Sequence, residues 1–263
     1  MNVMATQSIR WSPARTYLLE AKYEFLKLVR MPGQAAPTIA FPAMFYLLFG
    51  VMFGKQLVGS MTMATYLIAT YGAFGVIGAS LFGFGVGVAI ERGQGWMMLK
   101  RASPMPPMAF FVAKLGMCMV FAAAVVAVLS TLGVTLGHVQ LAPAVWARLA
   151  ITLVLGAIPF CALGLGLAFL VGPNSAPPIV NLFYLPMSFL SGLWIPYEVL
   201  PPVIKAIAPF LPAYHLGQLA LGAIGAGAGA SVWSHVSALA GFTLVGLGLA
   251  FFGFRRDEDK TWG

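Results

Sequence analysis

The segment from Glu91 to Lys114, ERGQGWMMLKRASPMPPMAFFVAK, separates two long apolar runs with a cluster of charges, a helix-permitting stretch and several prolines. Pro104, Pro106 and Pro107 are expected to end a helix and redirect the chain, because proline lacks the amide donor and restricts the residue before it. A polar segment between two membrane-length runs must lie in water. We therefore predict that this segment contacts a soluble partner.

The overall composition indicates that the rest of the chain lies in lipid. Of 263 residues, 60% are apolar and only 8% are Asp, Glu, Lys or Arg, whereas a soluble domain carries about a quarter charged residues. The net charge of +8 comes from cations at the ends of apolar runs, which is the distribution of a membrane protein. We predict an all-α integral membrane protein that binds no nucleic acid.

Apolar runs divide the chain into six predicted transmembrane helices within a domain covering residues 35–254. A cytoplasmic N-terminus with an amphipathic interfacial helix, residues 1–34, precedes this domain, and a cytoplasmic tail, residues 255–263, follows it. The second run is expected to project into the cytoplasm, because it would be roughly 43 Å long against a hydrocarbon core of ~30 Å. The six predicted runs are residues 35–54, 62–90, 108–136, 148–172, 179–195 and 232–254.

Two of the connections between these runs are assigned separate roles. Residues 91–107 form the predicted cytoplasmic loop. Residues 196–213 are rich in proline and are predicted to form a bent, outer re-entrant element after the fifth span, since such backbone does not cross lipid. In the second run, small residues recur every four positions and predict close helix packing; they are Gly75, Ala79, Gly83 and Gly87.

The positions of the cations predict the orientation of the chain. An even number of spans places both termini on one side, and this side, with the 91–107 loop and Lys114, then holds 12 of the 15 Lys and Arg residues. The opposite side holds Lys55, Arg148 and Lys205. Because cytoplasmic segments are enriched in Lys and Arg, we predict that both termini face the cytoplasm.

The sequence offers little for chemistry of its own. The predicted spans contain no Asp or Glu, and Lys114 lies near enough to a span end to reach the inner surface, which disfavours an ion-coupled secondary transporter without excluding it. Gly54-Lys55 is followed by Gln56, so the phosphate-binding glycine-lysine motif is absent. His138, His215 and His235 have neither metal-ligand nor catalytic-triad spacing. An enzyme is therefore disfavoured, no metal site is predicted, and any uphill transport needs energy from another chain.

Two motifs resemble those of ABC exporter permeases of the type 2 class. The first resembles their cytoplasmic loop, with Lys114 about ten residues after a Ser-Pro pair, and consists of Glu91-Arg92, Gly95, Leu99, Ser103-Pro104 and Lys114. The second resembles a signature that follows the fifth span and consists of Leu190-Ser191-Gly192, Ile195-Pro196, Leu200-Pro201, Pro209, Pro212 and Leu219. The likeness covers essentially the whole chain. Gln94 and Trp96 stand where family members commonly carry further charges.

This resemblance implies an ATP-driven exporter in the bacterial cytoplasmic (inner) membrane. Two permeases, either two copies or a copy and a homologue, would pair within the lipid. Separate ABC ATPase subunits would bind ATP and magnesium, so that this chain holds no cofactor. The cargo would be amphipathic or lipid-like. The resemblance also implies that the 91–107 loop is a coupling helix, with apolar anchors and rim charges for a groove of the ATPase; its residues are Glu91, Arg92, Gly95, Trp96, Met97, Leu99, Lys100 and Arg101.

The resemblance further implies that the two permeases form the substrate pathway at their shared interface, and we expect side chains of the second and fifth spans to line it. The expected lining residues are Tyr71, Phe74, Gly78, Asn181, Tyr184, Met187 and Ser188. The expected outer gate consists of Ser191, Gly192, Pro196 and Pro201. The same side chains could instead be packing residues. A secondary transporter and a membrane scaffold without transport are the alternatives to the exporter.

Overall fold

A computed structural model describes residues 13–30, 32–96, 107–227 and 231–259, and these are helical apart from turns and one short hairpin. The hairpin pairs β1 (Leu57–Val58) with β2 (Met61–Thr62) in antiparallel register. The all-α prediction is thus confirmed for the described residues. The first helix, α1 (Pro13–Arg30), lies in the segment predicted to hold the interfacial helix, and its place in the membrane interface stays a prediction.

The α1 helix turns an unexpected side toward the other helices. The sequence places Leu18 and Phe25 on its apolar side and Glu24 on the polar side, yet Leu18 and Phe25 are exposed while the Glu24 side chain is only 10% exposed. Glu24 has an ionic partner inside the bundle, described below, which outweighs the cost of burying its carboxylate. The apolar side chains therefore face away from the protein, where an interfacial helix meets lipid.

The second helix, α2 (Pro32–Phe45), contains Pro37 and Pro42 and continues directly as a π-helix, Tyr46–Val51. Proline removes an amide donor from a helix interior, which weakens the regular hydrogen-bond ladder. The third helix, α3 (Met63–Ser80), begins at Thr62, whose side chain accepts a hydrogen bond from the Thr65 amide. It continues through a second π-helix, Leu81–Val86, into α4 (Gly87–Gly93).

Together α3, the π-helix and α4 form one 31-residue helix, Met63–Gly93, that lies at the centre of the bundle. Small residues permit its burial: a Cβ on Gly75 would lie 2.6 Å from Val125 Cγ1, and one on Gly85 would lie 2.9 Å from Gly164 Cα. The predicted row of small residues packs against neighbours only in part, because no heavy atom lies within 4 Å of the Cβ position of Gly83. At Gly83 the row faces open space.

The remaining helices extend or shorten the predicted spans. They are α5 (Pro107–Thr135), α6 (Pro143–Leu155), α7 (Ala157–Leu170), α8 (Ala176–Leu190) and a last long helix that ends at Asp259. The fourth predicted span starts at Pro143 instead of residue 148, because Pro143 occupies the first helical position, which tolerates proline. The last helix begins at Val232 and continues into the predicted tail.

Within the described residues, four helices are long and apolar enough to cross a membrane: Met63–Gly93, Ala109–Thr135, Pro143–Leu170 and Val232–Arg256. The other two predicted spans correspond to shorter apolar helices, Ala36–Val51 and Ala176–Leu190. A 15-residue helix such as α8 is about 22 Å long, less than the ~30 Å hydrocarbon core. The chain is a multi-pass helical membrane protein, and the six-span count and the orientation stay predictions.

The segment after α8 is bent, as predicted for residues 196–213, but it is followed by a helix that the sequence did not indicate. Two 3₁₀ turns, Tyr197–Val199 and Ala208–Phe210, flank α9 (Pro202–Ile207). The unpredicted helix is α10 (Pro212–Ala223), and most of its side chains are buried. The last helix is accordingly α11 (Val232–Asp259). Of the residues between α10 and α11, 228–230 are outside the described residues.

Candidate functional site

Three charged side chains from separate elements meet at one end of the bundle. Lys114 Nζ on α5 lies 2.9 Å from Glu91 Oε1 on α4 and 2.9 Å from Glu24 Oε2 on α1. The Lys114, Glu91 and Glu24 side chains are 6%, 4% and 10% exposed. We call these three residues the ion cluster. They tie α1 and the end of the central helix to α5.

The ion cluster corrects two expectations from the sequence. Glu91 belongs to the helix Met63–Gly93, so this candidate span does carry an acidic residue. Glu91 is also buried, so its carboxylate does not stand on the rim of the 91–107 loop where an ion pair with an ATPase was expected. The cost of burying the Lys114 ammonium group is offset only while its carboxylate partners remain. Removing one partner of a buried ion pair destabilises a protein by about 3–5 kcal/mol. Lys114 therefore has a structural partner within the chain.

Arg92, the next residue, bonds to the end of a different helix. Its guanidinium donates to the Phe169 carbonyl at 3.1 Å and to the Val171 carbonyl at 2.6 Å, and it lies 5.9 Å from the Phe169 ring centroid. The last carbonyls of a helix lack partners within that helix, and a cation there satisfies them and opposes the helix dipole. Arg92 thus attaches the end of α4 to the end of α7, although the sequence reasoning had placed it on the loop rim.

The chain leaves α4 through a turn that requires glycine. The Gly95 amide donates to the Arg92 carbonyl at 3.1 Å, and Gly95 has a φ of 76°, a left-handed conformation that glycine adopts without strain. Trp96 follows and is 50% exposed. The other predicted coupling residues, Met97, Leu99, Lys100 and Arg101, lie outside the described residues.

A cavity of about 580 Å³ begins at the ion cluster. Its wall follows the central helix from Ile90 to Gly78, a distance of roughly 18 Å at 1.5 Å per residue. Helices α2, α5 and α8 supply the other walls. Glu24 and Lys114 lie at the end that holds the ion cluster, Thr38 and Asn181 are the polar side chains elsewhere on the wall, and the rest of the wall is mainly apolar; its side chains include Phe41, Pro42, Phe82, Phe121 and Leu185.

The end of the cavity farther from the ion cluster is closed by a contact between two of the predicted pathway residues. The Tyr184 hydroxyl donates to the Phe74 carbonyl at 2.9 Å, and the two rings stack with centroids 4.9 Å apart and an interplanar angle of 7°. A Cβ on Gly78 would lie 2.6 Å from the Tyr184 hydroxyl, so only glycine permits this approach. Of the predicted pathway residues, Gly78, Asn181 and Tyr184 line the cavity.

The other predicted pathway residues pack beyond this closure. The Tyr71 hydroxyl donates to the Trp194 carbonyl at 3.4 Å, and the Ser188 hydroxyl donates to the Tyr184 carbonyl one turn earlier on α8. Met187 is partly buried against the hydrophobic core. In this conformation these residues and Phe74 do not line the cavity, so the expected pathway is open only on one side of Tyr184.

The predicted gate residues shape the chain after α8. Ser191 is the C-cap residue, Gly192 has a φ of 76°, and the Leu193 amide donates to the Ser188 carbonyl at 3.2 Å. This is the arrangement by which glycine ends many helices. Pro196 and Pro201 precede the next two short helices as their N-cap residues. The motif thus positions a helix end and two helix starts.

The sequence reasoning missed most of the cavity wall, including Glu24, Thr38, Phe41 and Phe82. The one available signal was Lys114, a cation inside an apolar run whose partners had to lie on other helices. Among the described residues, no group of three His, Cys, Asp or Glu side chains is placed to hold a metal ion.

Comparison with known proteins agrees with this architecture. The family model described as ABC-2 type transporter matches residues 17–224, a range that contains the ion cluster and the described cavity wall. The chain is also 24% identical over 258 residues to a protein of Bacillus subtilis (strain 168) named "Putative transport permease YvfS", covering 98% of this chain and 99% of that protein. The likeness is full-length, as the two motifs had implied. The chain therefore belongs to the ABC-2 type transporter family and is a membrane permease that works with an ABC ATPase subunit.

Proposed function

We propose that this permease exports an amphipathic or lipid-like substrate, such as a drug, a lipid or a glycoconjugate, from the cytoplasm or the inner leaflet. The observation that carries the proposal is the cavity, which is polar and charged at one end, apolar along its wall, and closed by Tyr184. An amphiphile fits such a cavity with its head group near the ion cluster and its apolar part along the aromatic wall.

The proposed orientation places the ion cluster at the cytoplasmic surface of a bacterial inner membrane. The excess of Lys and Arg in the segments on that side supports it. The cavity then lies at the depth of the inner leaflet, and the segment from Ser191 through Pro196 and Pro201 lies outside the Tyr184 closure, where it would act as the outer gate. Opening requires Tyr184 to leave Phe74, which would connect the cavity to the residues beyond.

The energy would come from ATP and magnesium bound by the partner ATPase, and the 91–107 loop would be the coupling element. Trp96 is exposed at the start of this loop and is suited to insert into a groove, since aromatic side chains are favoured interface anchors. Glu91 and Arg92 would act as positioning residues. Because they attach the base of the loop to α5 and α7, a displacement of the loop would pull on both helices.

A second permease, as a copy or a homologue, would complete the pathway. Several large apolar side chains of α8 are exposed in the single chain, among them Leu182 and Phe183. Such a surface is stable only against lipid or another apolar helix. We assign it to the partner permease and the surrounding lipid.

A matched pair of glycine variants tests the cavity. Gly83 lines the cavity and has no atom within 4 Å of its Cβ position, and Gly248 on α11 is equally open but lies outside the cavity. The chain is reconstituted with its ATPase partner in vesicles that contain a fluorescent phospholipid, and transbilayer movement and ATP hydrolysis are measured. Gly83→Leu should reduce lipid movement at least about tenfold, since it fills the site, while Gly248→Leu should stay close to wild type.

Three results would contradict the proposal. Equal movement in both variants would mean that the cavity is not on the pathway. Lipid movement that needs an ion gradient and no ATPase would instead identify a secondary transporter. A complex that hydrolyses ATP but moves none of the amphiphiles tested would indicate a membrane scaffold without transport.

A further inference from the structure

Two histidines that are 20 residues apart in sequence meet at the end of the bundle away from the ion cluster. His215 lies on α10 and His235 lies in the first turn of α11, with their Nδ1 atoms 2.9 Å apart. His215 Nε2 lies 2.9 Å from the Pro209 carbonyl oxygen. His235 is 6% exposed. The two rings form a direct polar contact between the unpredicted helix α10 and the start of the last helix.

The chemistry of the three partners determines where the protons are. A carbonyl oxygen only accepts, so His215 carries its proton on Nε2 and presents an unprotonated Nδ1 when the ring is neutral. His235 must then donate from its Nδ1. In the neutral pair, both short contacts are therefore satisfied hydrogen bonds.

Adding protons has two different consequences. After one proton binds, His215 donates from both nitrogens and His235 accepts at Nδ1 by carrying its own proton on Nε2, so the contact survives. After a second proton binds, both Nδ1 atoms carry hydrogens and both rings are positively charged at 2.9 Å. No hydrogen bond is then available, and like charges repel at this distance.

The surroundings of the pair provide little compensation for a second charge. The nearest rings are those of Tyr214, at 5.5 Å from His215 and 5.9 Å from His235, and Phe242 on α11, at 6.5 Å from His215. Within the described part of the chain, no carboxylate bonds to either histidine ring. Burial lowers the pKa of His215 below its usual value, and the bond to the Pro209 carbonyl acts in the opposite direction.

Charged and titratable groups on the elements packed around α10 bond elsewhere. On α6, the Arg148 guanidinium donates to the Ala223 carbonyl at the far end of α10. On α9, Lys205 Nζ donates to the Glu198 carbonyl at 2.6 Å. On α3, the Tyr66 hydroxyl accepts from the Tyr197 amide at 3.3 Å. None of these groups replaces a lost bond between the two histidines.

We propose that His215 and His235 form a proton-operated clasp that holds α10 against α11 at neutral pH and releases it when both rings become charged. His215 is partly buried and has a lowered pKa, so it binds fewer protons than a free imidazole. Because the contact survives the first proton, the clasp is fully effective above the free value of about 6.5 and is lost only at the lower pH at which the second proton binds. In the proposed orientation the clasp faces the outside, so it would loosen the outer segment in acidic surroundings.

Hydrogen exchange of the full-length chain in lipid nanodiscs tests the clasp without requiring transport. Amide protection of residues 212–223 is measured at about pH 7.5 and about pH 5, with exchange times scaled to equal intrinsic rates. Loss of the hydrogen bond between the two rings should reduce protection at the acidic pH by about two- to tenfold, because one bond contributes a net factor of about 2–10. Unchanged protection of the wild type would overturn the proposal.

Three variants make the result specific. His235→Gln and His215→Gln each leave a pair that holds at most one charge, so protection should differ less than about twofold between the two pH values. His138→Asn is the control, because His138 is exposed at the same end and has a φ of 50° that asparagine tolerates. This control should retain the wild-type response, and a response that persists in both glutamine variants would refute the clasp.

A measurement on the wild type covers the case in which a glutamine variant does not fold. Exchange of the histidine C2 hydrogen reports the protonation of each ring separately. The pair should protonate in two separated steps, since the first charge opposes the second. Two rings that titrate together at the free-imidazole value of about 6.5 would overturn the proposal.

Discussion

Replacing Lys114 by methionine should destabilise the permease strongly, because it leaves the Glu91 and Glu24 carboxylates close together with little exposure. Methionine has nearly the helix propensity of lysine and fills similar volume, so the main change is the loss of the ammonium group 2.9 Å from each carboxylate. Removing one partner of a buried ion pair costs about 3–5 kcal/mol. For a chain of this size the midpoint of thermal unfolding should then fall by roughly 6–20 °C.

Thermal unfolding followed by tryptophan fluorescence in mild detergent measures this loss. The matched control is Lys55→Met, because Lys55 is exposed between the π-helix and the hairpin, and its variant should unfold close to the wild-type temperature. The loss in Lys114→Met should be smaller at acidic pH, where a proton on one carboxylate reduces the repulsion.

A double variant tests whether the effect belongs to the ion cluster. If Lys114 and Glu91 stabilise each other, adding Glu91→Gln to Lys114→Met should cost about 1–3 kcal/mol less than the sum of the single changes. Additive losses, or a Lys114→Met protein that melts within about 2 °C of the wild type, would refute the assignment of the cluster as a structural tie.

Three further changes probe other contacts by the same unfolding assay or by transport. Arg92→Gln should cost about 2–4 kcal/mol, since it removes two charge-assisted bonds to the end of α7, whereas Arg256→Gln on the exposed end of α11 should be nearly neutral. Gly246→Val should cost more than about 3 kcal/mol, because its Cβ would lie 2.5 Å from the backbone of α7; Gly241→Val, in open space on the same helix, is its control. Gly78→Ala should displace the tyrosine that closes the cavity and make the vesicles leak the transported lipid without ATP.

The positions of most helices could be predicted from the sequence, because apolar runs and prolines act locally. The third predicted span differs from α5 by one residue at each end. The α10 helix was missed because it is only 12 residues long, begins at a proline and ends in a glycine-rich stretch. The α10 helix is stabilised by burial against other helices, and a local sequence pattern does not reveal that burial.

The candidate site was predicted less well than the fold. Gly78, Asn181 and Tyr184 were expected on the pathway and line the cavity, whereas Tyr71 and Ser188 bond to the backbone beyond it. All of these residues lie on the correct helices. Which of them face the cavity depends on how each helix is rotated about its axis, and an almost uniformly apolar helix carries no polar face from which that rotation can be read.

The sequence by itself determined the membrane class, the family motifs and the approximate helix boundaries, since these depend on composition, charge placement and neighbouring residues. Only the tertiary structure decided that Glu24 and Glu91 turn inward to Lys114, that Arg92 bonds to the end of α7, and that two distant histidines meet. The physical reason is that these contacts join residues 20 to 90 positions apart. Whether a charge faces water or another helix depends on whether an opposite charge is brought within about 3–4 Å of it, and helix packing alone determines that distance.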